Sequence, residues 1–118
     1  KELPKLEDLL KYELLVREAG SAPRRILDYR LAIKGLAIQN PRMESASNLV
    51  IVSMAISGNG IGILSESIVS KYIESGELRE IKLDTPLERN LFLVTHKNKK
   101  FTTTSKKAYN IVKKILTE

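Results

Sequence analysis

A chain of 118 residues with 20 Lys and Arg, 14 Asp and Glu and a formal net charge of +6 has the length of one ordinary domain. Hydrophobic residues make up 42% of it, enough to bury a core, which argues against intrinsic disorder. The absence of Cys excludes disulfide scaffolds, Cys-ligated metal sites and thiol catalysis, and the single histidine, His96, excludes a multi-histidine metal centre.

The basic excess is not spread evenly. Residues 1–94 carry 13 basic and 13 acidic side chains, whereas residues 95–118 carry seven lysines against Glu118 alone. That tail reads either as the wet face of a terminal helix or as a nucleic-acid surface. Its lack of Arg, with Phe101 and Tyr109 the only aromatics, favours the helix face. The longest apolar stretch, Leu49 to Leu64, is broken by Ser53, Ser57, Gly58, Asn59 and Gly60 and falls short of the roughly 20 residues that a membrane helix needs. The opening residues lack the order of a signal peptide and begin without Met. The chain therefore reads as processed, or as a piece of something longer.

In chain order, Leu3, Leu6, Leu9 and Leu10 suggest a short helix or turn around Pro4. The compact apolar run from Glu13 to Glu18 predicts a buried strand. Ser21 or Ala22 then caps a helix with Pro23 in its first turn and Gly35 as its stop. Residues 38–44 form a weaker strand, which Pro41 confines to Arg42–Glu44 or to a sheet edge. Ser45, Ala46, Ser47 and Asn48 offer caps for a helix over about 48–57. That helix is apolar nearly all round and so is expected to be buried on most sides.

Gly58-Asn59-Gly60 ends that helix, and Ile61 to Leu64 predicts a buried strand. A brief helix over 66–74 turns Ile68, Val69, Tyr72 and Ile73 inward and stops at Gly76. Strands follow over 78–83 and 91–96, separated by the Asp84-Thr85-Pro86 turn. After the polar loop 97–100, Ala108, Ile111, Val112, Ile115 and Leu116 mark one stripe of a terminal helix. The alternation of strands and helices predicts an α/β fold with a mostly parallel sheet flanked by helices.

Several residues carry a family resemblance. Val16-Arg17-Glu18-Ala19-Gly20-Ser21-Ala22-Pro23-Arg24-Arg25 leads a strand into a helix. Gly58-Asn59-Gly60-Ile61-Gly62-Ile63-Leu64 follows a Ser-rich cap and an apolar helix. The opening Leu6-Glu7-Asp8-Leu9-Leu10-Lys11-Tyr12, the strand with His96 and Lys97, and the terminal amphipathic stripe complete the string. Together they resemble the C-terminal part of the effector-binding domain of LysR-type transcriptional regulators, whose fold is that of type-2 periplasmic binding proteins. The chain departs from the pattern at Ala22-Pro23, where a Gly-Thr pair is common, and at Ser65, where Pro is frequent.

The resemblance implies one lobe plus the return segment of the other, with about 12–88 as the second lobe and about 89–118 as the return strand and C-terminal helix. It implies a cytoplasmic ligand sensor that meets DNA only through an N-terminal domain this chain lacks. It also implies a small effector held between two lobes, with no cofactor. Two helix N-termini suit a small anion, Gly20-Ser21-Ala22 and Ser45-Ala46-Ser47-Asn48. Ser21, Ala22, Arg24, Ser45, Ser47 and Asn48 are the candidate effector contacts, each of which could instead be only a cap or turn former.

Arg24 and Arg25 sit where a helix dipole opposes cations, so Glu18 or Asp28 should offset them in an ion pair, unless they clamp a ligand. The terminal stripe needs a covering surface, which points to a homodimer or to folding back. A fragment of a transporter solute-binding protein is the alternative. The absence of a nucleophile elbow, phosphate loop or paired carboxylates argues against an enzyme.

Overall fold

The structure, a computed structural model, describes residues 2–88 and 90–98. The lysine tail beyond Asn98 and the expected terminal helix lie outside the described residues. A short 3-10 helix, Leu6–Lys11, precedes strand β1 (Leu14–Arg17). Helix α1 (Ala22–Ile33), strand β2 (Met43–Ser45), helix α2 (Asn48–Ile56), strand β3 (Ile61–Ser65), helix α3 (Glu66–Glu74), strand β4 (Leu78–Ile81) and strand β5 (Leu91–His96) follow.

The helix ends obey their local chemistry. Ser21 and Ser47 accept N–H bonds from Arg24 and Val50 and so cap α1 and α2. At the other end of α1, Gly35 has φ +74° and donates to the Ala32 carbonyl, while the Leu36 N–H reaches Leu31. The same paired closure recurs after α2 at Gly58 and Asn59.

The strands form one sheet in the order β2-β1-β3-β5-β4. β2, β1 and β3 run parallel, whereas β5 is antiparallel to both β3 and β4. The expected mostly parallel sheet is therefore corrected to a mixed one. β4 and β5 are joined through residues 82–90 without a crossover helix, and a direct connection brings in a neighbour pointing the opposite way.

Alternation along the strands divides the core in two. Leu14, Val16, Ile61, Ile63, Ile81, Leu91 and Leu93 pack with Leu27 and Leu31 of α1 and with Leu6 and Leu9. Leu15, Leu64, Leu78 and Val94 pack instead with Ile51, Val52 and Ala55 of α2 and with Val69 of α3. Helices thus cover both faces of the sheet, and each fully buried aliphatic side chain contributes about 1.5–3 kcal/mol. α2 comes close because residue 62 is glycine. A β-carbon there would stand 3.2 Å from Ile51 Cγ2. On the opposite side, Arg30 of α1 donates to the Leu87 carbonyl at 2.7 Å and fixes the connection before β5.

α2 is not buried on most sides. Ile51, Val52 and Ala55 are buried, but Leu49 is 64% exposed and Val50 is also exposed. Its hydrophobicity carries no stripe, so the sheet alone chooses which third faces inward. Accordingly, Ile51→Ala should cost about 2–5 kcal/mol, whereas Leu49→Ser should stay within about 0.5 kcal/mol. Urea unfolding of the two variants measures this, and equal losses would contradict the observed orientation of α2.

Candidate effector-binding edge

Because β1, β2 and β3 are parallel, their C-terminal residues Arg17, Ser45 and Ser65 lie along one edge, and each feeds a helix. Register pairs Arg17 directly with Ser45. The N-termini of α1, α2 and α3 gather there, where backbone N–H groups and helix dipoles favour anions.

The three helix mouths differ in what they have left to offer. At α1, Pro23 has no N–H, Arg24 N–H is taken by Ser21 Oγ and Arg25 N–H by the Ser21 carbonyl. Only Ala22 retains a first-turn N–H without an intrahelical acceptor. At α2, Ser45 Oγ accepts the Ser47 N–H at 3.0 Å and Ser47 Oγ accepts the Val50 N–H at 3.2 Å. The Asn48 and Leu49 N–H groups remain without intrahelical acceptors. At α3, Glu66 supplies an acid in the first turn and its N–H is held by the Asn90 carbonyl at 2.8 Å. α2 therefore leaves more first-turn donors unfilled than α1 and, unlike α3, has no acid beside them.

Two arginines hold this edge. Arg24, whose side chain is only 13% exposed, bonds Asp28 at 3.0 Å, Glu44 at 3.1 Å and the Arg17 carbonyl at 3.0 Å. Burial works against its charge, but the hydrogen bonds it donates to Glu44 and Asp28 prevail and hold the guanidinium more firmly protonated than usual. Asp28 is thus the expected partner. Glu18 is not: it pairs with Arg17. Arg25 instead donates from Nε to the Gly20 carbonyl at 3.1 Å.

Arg17 is a residue that sequence reasoning did not single out. It donates from Nε and Nη2 to the two carboxylate oxygens of Glu18 at 2.9 and 3.3 Å, and from Nη1 to Asn48 Oδ1 at 2.7 Å. The Arg17 hydrogen bond holds the Glu18 carboxyl below the usual carboxylate range, and the backbone of Glu18 assists. The turn is completed by Gly20, at φ +96°, and by Ser21, whose hydroxyl donates to the Glu18 carbonyl at 2.9 Å. The only sequence signal for Arg17 was its place as the last residue of an apolar run, immediately before Glu18.

The structure thus links Ser21, Arg24 and Asn48 through Arg17 and Glu18, while Ser45 and Ser47 form one turn at the start of α2. Ala22 is exposed at the first position of α1. His96 lies apart, at the end of β5, where Nδ1 accepts the Asn98 N–H at 3.0 Å. A groove of about 480 Å³ between α2 and α3 adjoins the edge through Asn48 and Leu49. A separate hollow of about 400 Å³, lined by residues such as Leu3, Ile81, Leu83 and Phe92, contains none of the candidate contacts. Among the described residues no group of three His, Cys, Asp or Glu side chains could hold a metal ion, and no helix is long and apolar enough to cross a membrane.

A family model described as the LysR substrate binding domain matches residues 1–114. The HTH-type transcriptional regulator MJ0300 of Methanocaldococcus jannaschii is 29% identical over 114 residues, covering 94% of this chain and 38% of that protein. YeiE, an HTH-type transcriptional regulator of Escherichia coli K12, is 32% identical over 95 residues, 80% of this chain and 32% of that protein. CbbR, an HTH-type transcriptional regulator of Sinorhizobium medicae, is 31% identical over 90 residues, 75% of this chain and 29% of that protein. The chain thus spans about a third of the length of these relatives.

Replacing Arg17 by Gln should raise the pKa of Glu18 towards that of an ordinary carboxylate, because the group that favours its ionised form is gone. Carbon-13 NMR titration reads that shift, and an unchanged Glu18 curve would contradict the pairing.

Proposed function

The chain belongs to the LysR substrate binding domain family, and on that premise we propose that it is part of the ligand-sensing domain of a transcriptional regulator. In this reading about 12–88 supplies the second lobe of a two-lobed domain, and about 89–118 begins the return to the other lobe, with β5 completing this sheet on the way. A small anionic effector lies against the edge described above. Asn48, Ser45 and Ser47 surround the donor-rich mouth of α2, and Ser21 and Ala22 line that of α1. Arg24, already bound to two carboxylates, shapes the rim. DNA contact belongs to a part of the protein outside this chain, and closure of the lobes around effector changes the geometry of a dimer. The reaction-free nature of this role fits relatives named as transcriptional regulators.

The single observation that carries the reading is the convergence of both serine-capped mouths on one sheet edge, joined by the 2.7 Å bond from Arg17 to Asn48. Half of a cleft offers half of the contacts. The chain alone should therefore bind at least about 100-fold more weakly, a difference of roughly 2.7 kcal/mol, than a longer protein that includes the other lobe. Screening small carboxylic acids by thermal shift and following hits by calorimetry on both proteins tests this. Tight, stoichiometric binding to the chain alone would contradict the two-lobed site.

A further inference from the structure

We infer that Glu18 is a resident counter-ion occupying the Arg17 fork, and that an anionic effector displaces it. The inference rests on the reading of this edge as the effector site and adds how the anion is received. The geometry is that of a carboxylate ligand already in place. Arg17 presents Nε and Nη2 to the two oxygens of Glu18, at 2.9 and 3.3 Å, which is the two-pronged arrangement by which a guanidinium recognises any carboxylate. Its remaining arm, Nη1, is fixed on Asn48 Oδ1 at the first position of α2. An anion taking the place of Glu18 would therefore meet the guanidinium beside the unfilled Asn48 and Leu49 N–H groups.

Exposure decides which partner can leave. The Glu18 side chain is 41% exposed, whereas that of Arg17 is 18% exposed. Glu18 can turn into water and be hydrated there. Arg17 cannot follow, and losing its carboxylate would leave a largely buried charge uncompensated, which is costly unless another anion arrives. The fork of Arg17 is thus open to exchange but not to vacancy. Arg24 makes the contrast. It is held by carboxylates from two different elements and by the Arg17 carbonyl, so no single side-chain movement frees it. Glu18 makes Arg17 selective for anions that bring a better-placed charge, and neutral molecules gain nothing by displacing it.

The test is a titration of the chain with acetate, followed in proton–nitrogen NMR spectra at the Arg17 Nε–H and at the Asn48 and Leu49 amides, with acetamide as the neutral control. Wild type and Glu18→Gln are compared. Gln keeps the length of Glu18 and an oxygen that the Arg17 fork can still donate to, so the variant removes the charge without emptying the fork. The expected result is saturable movement of Arg17 Nε–H with acetate and none with acetamide. Acetate should bind roughly fivefold more tightly to Glu18→Gln, the factor that corresponds to releasing a half-exposed ion pair. Equal affinities in the two proteins would overturn the exchange. Movement of Asn48 and Leu49 without Arg17 would also overturn it, while leaving the α2 mouth as the anion-receiving surface. No movement at any of the three positions would overturn both the exchange and the assignment of this edge.

Discussion

Strand direction is the constraint on which the polar edge depends. β2, β1 and β3 are adjacent and parallel, so each must leave the sheet on the same side and return through a helix. Three helix N-termini are thereby delivered to one edge with no residue there having specified it. The alternation within the strands makes that arrangement stable. Leu14 and Val16 face α1, Leu15 faces α2, and neither helix can shift without exposing buried apolar surface. The close approach of Ile51 to Gly62 fixes the depth of α2, and with it the position of Asn48.

Upon that frame the two arginines divide the electrostatic work. Arg24 sits in a first turn that contains no acidic residue, where the helix dipole disfavours it by about 0.3–1 kcal/mol. Asp28 and Glu44 outweigh that cost and tie α1 to the end of β2. Arg17 connects the other way, from β1 to α2, and its carbonyl is in turn held by Arg24. The two mouths are therefore parts of one hydrogen-bonded unit rather than two independent caps. Their donors differ because Pro23 removes an N–H from α1, whereas nothing in the first turn of α2 does so. A ligand approaching this edge meets more unfilled donors at Asn48 and Leu49 than at Ala22.

Much of this was legible in the residues because it is local. Ser21 and Ser47 are caps, Gly35 and Gly58 close helices, and the Arg24–Asp28 pair lies one helical turn apart. What was not legible is set by contacts distant in sequence. The bond from Arg17 to Asn48 spans 31 positions and that from Arg24 to Glu44 spans 20, so neither leaves a periodic trace. Direction is equally silent: the pattern of Leu91–His96 announced a strand, but only the helix-free connection from β4 explains why it runs against its neighbours. α2 misled because a uniformly apolar helix contains no information about which side will be covered. Family resemblance drew attention to the helix mouths as candidate contacts, but not to the pairing of Arg17 with Glu18 between them.

The claim that the two mouths act as one unit rests on the bond between Arg17 and Asn48, and a double-mutant cycle measures it directly. Arg17→Gln, Asn48→Ala and the double variant would be unfolded in urea alongside the parent chain. Residues that share a hydrogen bond in this way should be coupled by about 0.5–3 kcal/mol, with the double variant losing less stability than the sum of the single losses. Strictly additive losses would show that the guanidinium does not join β1 to α2, and would contradict the account of this edge.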